Sequence, residues 1–138
     1  MQHYLSCRIG REWYGIELGA VIEVLHFVAL TELPGTPPEV LGLMTIRDLV
    51  MPVVDLRRLF GLPEAALTLD TPIVAVRAPE GAVGLVVDDT DNIENIQDEQ
   101  VAVYDGVASP YVSGAIRLSE GLLMLLNLSA LKLEKSST

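Results

Sequence analysis

The residues able to do chemistry are few and scattered. The 138-residue chain holds two histidines, His3 and His26, and one cysteine, Cys7. His3 stands near the chain start and His26 lies in an apolar strand-like run. Each reads as a surface or internally satisfied imidazole, not as a base or metal ligand. Cys7 has no evident activator, reads as a small buried hydrophobe, and has no second cysteine for a zinc, redox or disulfide pair. Asp88, Asp89 and Asp91 gather three carboxylates but lack the glycine and terminal glutamate of a calcium loop. They read as a solvated acidic turn. Gly81, Gly84, Gly106, Gly114 and Gly121 are too dispersed to cradle a phosphate and fit turns and bulges instead. Ser109 and Ser119 lack a nucleophile elbow and a base. Trp13 is the only tryptophan, so no base-stacking platform forms. The expectation is a non-enzymatic protein with no cofactor and no metal.

Composition points the same way. Hydrophobic residues make up 50% of the chain and charged residues 20%, enough apolar content for a folded core. The formal net charge is −10, which opposes binding to nucleic acid or anionic membranes. No secretion signal is expected from Met1-Gln2-His3-Tyr4, and no apolar run reaches the roughly 20 residues of a membrane helix. The low charged fraction leaves room for apolar surface patches that suit protein partners.

Short alternating stretches dominate the remainder. Strands are expected at 4–9, 13–18, 21–27, 39–46, 50–56, 73–77, 82–87, 92–96, 111–118 and 122–128, with turn residues between them. Thr31 to Pro38, with three prolines and a glycine, must be a loop. Pro52 falls within a strand, so its missing N–H is expected at an edge or bulge. Asp55 is expected to cap a short helical turn over 56–60, and 129–133 to form another. Residues 64–71 read as a linker, 98–110 resist assignment, and 134–138 should fray. The fold class is mainly β, with few short helices.

Two stretches echo each other. Met51-Pro52-Val53-Val54-Asp55-Leu56-Arg57-Arg58-Leu59 matches Leu123-Met124-Leu125-Leu126-Asn127-Leu128-Ser129-Ala130-Leu131, with Asp and Asn as interchangeable caps. Ile46-Arg47 and Ile116-Arg117 precede them. Two similar subdomains are expected, roughly 13–60 and 82–131, within a single domain over 1–138 and sharing one core. Whether the first strand pair exchanges between them is open at this level.

These motifs, taken in order, resemble the CheW-like family. Gly42-Leu43-Met44-Thr45-Ile46-Arg47-Asp48 followed by Met51-Pro52-Val53-Val54-Asp55-Leu56-Arg57 is similar to the family's Gly-φ-φ-Asn-φ-Arg-Gly turn and Pro-Val-Val-Asp-Leu strand, φ being a hydrophobic residue. Leu33 to Pro38, Val83 to Asp88 and Gly114 to Leu128 resemble its other segments, over about residues 3–133. The resemblance implies two SH3-like five-stranded β-barrels and a cytoplasmic coupling role without catalysis, with recruitment to membrane receptor arrays. The implied partners are the cytoplasmic tip of a chemoreceptor and the regulatory domain of a CheA-type histidine kinase, with contact surfaces on both halves. Pili-related and other chemosensory-like pathways use the same fold, and receptor binding can also be lost in a divergent member.

The resemblance also implies site residues for receptor coupling, Val21, Glu23, Gly42 and Arg47, with Glu23 and Arg47 close together; Asp48, beside Arg47, is counted with them. Glu23 is a charge amid apolar strand residues and needs a partner or solvent. Two positions depart from the pattern: Thr45 stands for the usual Asn, and Asp48 for the usual Gly. Aspartate accepts a positive φ less readily than glycine, so a reshaped turn is expected. Asp48 also competes with Glu23 for Arg47, and the sequence does not decide between them.

Overall fold

The computed structural model describes residues 1–97 and 109–131, together with the backbone of 101–103. The chain opens with the hairpin β1 (Gln2–Ile9) and β2 (Glu12–Glu17). A 3-10 turn at Leu18–Ala20 leads to β3 (Val21–His26). After the proline-rich loop come β4 (Val40–Ile46), β5 (Leu49–Asp55) and the one-turn helix α1 (Leu56–Leu59). Asp55 caps that helix, its carboxylate accepting from Arg57 N at 3.0 Å. The second half carries β6 (Pro72–Ala78), β7 (Gly81–Val86), β8 (Asp89–Ile96), β9 (Val101–Val103), β10 (Val112–Leu118) and β11 (Gly121–Leu126). It ends in a 3-10 turn at Leu128–Ala130, where Asn127 accepts from Ser129 N at 3.2 Å. The two caps sit where the echoed motif placed them.

The strands form two sheets, ordered β8-β1-β2-β11-β10-β9 and β3-β6-β7-β5-β4. The β1–β2 hairpin joins strands of the later half, antiparallel to β8 and parallel to β11. The β6–β7 hairpin joins strands of the earlier half, antiparallel to β3 and parallel to β5. The sheet orders therefore correspond element for element, and each initial hairpin lies in the other half's sheet. Residues 13–60 and 82–131 are consequently not the spatial units: each stretch contributes to both sheets. A bulge between Val40 and Gly42 in β4 is matched by one between Val112 and Gly114 in β10. Thr31 bridges Leu43 on the outer side of β4 as β9 pairs on the outer side of β10.

Exchange explains the core. A central cluster draws Leu5, Cys7, Ile9 and Ile16 from one sheet, Val54, Val74, Val76 and Leu85 from the other, and Leu56 from α1. A second cluster, with Met44, Met51, Val53, Ile73, Ala75 and Val86, belongs to the five-stranded sheet. A third, with Tyr4, Ile116, Leu123 and Leu125, belongs to the six-stranded one. Along β6, Ile73 and Ala75 enter one cluster while Val74 and Val76 enter the other. Both faces of such a strand are buried, so it reads as a continuous apolar run.

Three expectations need correction. Pro52 is not on an edge strand, because β5 runs between β7 and β4. It pairs with Leu43 on one side and precedes the parallel register with β7, which starts at Val53, so no ladder needs a donor there. Ile116-Arg117 is not the counterpart of Ile46-Arg47. Arg117 lies inside β10 opposite Leu122, and the turn equivalent to Arg47-Asp48 is Ser119-Glu120. A two-residue slip keeps the same faces in a strand, which is why the match looked sound. Asp88 is not solvated and is described with the site below. Most of 98–110, residues 132 and 133 of the closing turn, and the tail 134–138 lie outside the described residues.

Candidate functional site

β3 and β4 are the outer strands of the five-stranded sheet, and two contacts bring them together. Thr31, beyond the end of β3, exchanges backbone hydrogen bonds with Leu43 at 2.9 and 2.8 Å. Farther along, Arg47 Nε stands 3.2 Å from Glu23 Oε1. The sheet thereby curls toward closure as a small barrel. Glu23 follows a bulge in β3 between Val21 and Glu23, and it pairs with Ala75. Its Oε1 is sealed from solvent and accepts no hydrogen bond of good geometry. The contact with Arg47 is thus ionic, not a well-aligned hydrogen bond. The Arg47 side chain is 72% exposed, so most of the guanidinium faces outward. This is the pair that the resemblance implied.

The turn that holds Arg47 is strained. Among the described residues only Arg47 (φ 48°) and Asp48 (φ 68°) have positive φ without being glycine. A two-residue hairpin closed by Ile46 and Leu49 with both central φ values positive is the type I′ pattern. Asp48 therefore occupies, at a steric cost, a left-handed position that favours glycine. Asp48 makes no ion pair with Arg47 among the described residues, so Glu23 takes the arginine. Gly42 is buried at φ 151°, and a Cβ there would lie 2.6 Å from Thr31 O. Only glycine admits the loop backbone so close to β4. Val21 packs against the central cluster. The structure thus joins Glu23 with Arg47, sets Gly42 under the bridging loop, and leaves Asp48 exposed beside them.

A second charged cluster escaped the sequence reading. Asp88 accepts from Arg57 Nε (2.7 Å), Arg57 Nη2 (2.8 Å) and Gly10 N (2.7 Å), and Arg8 Nη1 stands 3.6 Å away. Burial alone would raise the Asp88 pKa, but the Arg57 hydrogen bond, the Gly10 N–H and the charges of Arg57 and Arg8 outweigh it and hold it low. The cluster ties the β1–β2 turn, α1 and the β7–β8 junction together. The available signal was position: Asp88 comes two residues after a buried strand and Asp55 ends one, and such an aspartate stays close to protein donors.

The fold is that of a β-rich protein of two matched sheets, with the Glu23–Arg47 pair across the edges of one of them. Residues 3–134 match the CheW-like domain. The chain belongs to the CheW-like domain family. It is 26% identical over 134 residues to chemotaxis protein CheW of Klebsiella aerogenes, covering 94% of this chain and 81% of that one. It is 25% identical over 124 residues to protein PilI of Pseudomonas aeruginosa, covering 87% and 70%. The scaffolding protein TtCheW from Thermoanaerobacter tengcongensis superposes with a TM-score of 0.84 at 23% identity, over 91% of this chain and 88% of that one.

Proposed function

We propose that this chain is a non-enzymatic adaptor that couples the cytoplasmic tip of a chemoreceptor to a CheA-type histidine kinase, with the Glu23–Arg47 pair at the receptor contact. The observation that carries the reading is the exposed Arg47, held across the closing edges of a barrel by a half-buried carboxylate. A fixed guanidinium can give a partner bidentate hydrogen bonds that an ammonium cannot. Leu122, in the β10–β11 hairpin, is 53% exposed. Exposed aliphatic surface on the six-stranded sheet suits docking of a related barrel there. The family resemblance leaves a pili-related or other chemosensory-like pathway as the alternative setting for the same coupling.

The test is the affinity of a receptor cytoplasmic-tip fragment for Glu23→Ala, Arg47→Ala and the double variant, with melting temperatures. Arg47 is largely exposed but Glu23 is half-buried, so each variant should lose about 1–2 kcal/mol of stability and stay folded. Each single change weakens binding by about 1–2 kcal/mol, the double by less than the sum, and Arg47→Lys restores only part. Unchanged affinity in all three removes the pair from the site, and strictly additive losses deny that they act together.

A further inference from the structure

We infer that Asp48 is a specificity-determining residue that selects a lysine or arginine on the receptor fragment. This inference rests on the receptor contact proposed above. Aspartate is tolerated in the left-handed region chiefly because its carboxylate can bond its own backbone. Here that excuse is missing. Asp48 sits at φ 68°, yet among the described residues its carboxylate has no hydrogen bond and no ion pair. The side chain does nothing for the turn that strains it.

The neighbouring cation is already engaged: Arg47 is drawn to Glu23 across the barrel edge, so the Asp48 charge is not neutralised from within. Two positions farther on, Val50 is 63% exposed and pairs with the exposed Thr45. A carboxylate next to exposed aliphatic surface fits a basic side chain, whose head meets the charge while its stem lies on the valine. The same tip therefore offers a cation, Arg47, and an anion, Asp48, side by side. A partner that satisfies both must present an acceptor and a basic residue at matching spacing, and a partner lacking the basic residue leaves Asp48 unanswered.

The test compares Asp48→Asn, Asp48→Gly and Asp48→Lys, with Arg47→Ala alongside, by calorimetric titration of the receptor-tip fragment at low and at moderate salt. Asparagine keeps the left-handed preference and removes only the charge. Expected are losses of about three- to fivefold for Asp48→Asn and Asp48→Gly, and a larger loss for Asp48→Lys, all shrinking as salt rises. Asp48→Gly should also raise the melting temperature by about 1–2 °C, which shows that binding and turn strain are separate effects. A lysine- or arginine-to-glutamate change in the fragment should weaken wild type and be partly rescued by Asp48→Lys. If Arg47→Ala weakens binding while Asp48→Asn and Asp48→Lys bind as wild type, the inference falls and the site stands. If Arg47→Ala has no effect either, the receptor contact itself is wrong.

Discussion

Replacing Asp88 should unlatch the chain. The carboxylate receives two hydrogen bonds from Arg57 and one from Gly10 N, and its side chain is 14% exposed against 23% for Arg57. Hydrogen bonds to a charged group contribute about 1.5–3 kcal/mol each when well buried. Partial exposure and water entry after truncation reduce the sum, so Asp88→Ala should cost about 3 kcal/mol. At this chain length that is a fall of about 9 °C in melting temperature. Asp88→Asn should cost about 2 kcal/mol: the amide can still accept from Gly10 N, but its N–H₂ confronts the guanidinium.

The pH profile carries the sign. The folded-state pKa is depressed, so the contribution is present above the unfolded value of about 4 and is lost as pH falls through the folded one. Urea unfolding of wild type and Asp88→Asn at pH 7 and pH 3 should therefore show a large gap at pH 7 and a smaller one at pH 3. An Asp88→Ala, Arg57→Ala cycle should show strong coupling. A loss below about 0.5 kcal/mol at pH 7, or additive single effects, would refute the latch.

Two further outcomes follow from packing. Cys7 is fully buried and burial pushes its thiol up to about 12, so a thiol reagent at pH 8 should label it only at the rate of unfolding. Fast labelling of the native protein would contradict this. Gly42→Ala should cost about 2 kcal/mol or more, because its Cβ meets the Thr31 carbonyl backbone, and should speed hydrogen exchange at the Thr31 and Leu43 amides.

The sequence by itself determined the local elements. Alternation of apolar residues located most strands to within a few residues, and the Asp/Asn caps before the helical turns were readable because a cap needs only its own next turn. The resemblance named Glu23 and Arg47 before their contact was visible. Sheet membership was decided by tertiary structure alone. β1–β2 joins β8 and β11, and β6–β7 joins β3 and β5, through pairings far apart in the chain. The β6–β7 hairpin, apolar on both faces, satisfies its local pattern in either sheet, so only packing chooses. The same holds for charge. Asp88 looked like a surface carboxylate because its partners, Arg57, Arg8 and Gly10, are supplied by distant elements. Glu23 reached Arg47, while Asp48 was left free, because curling of the sheet carries the β4–β5 turn to the edge of β3.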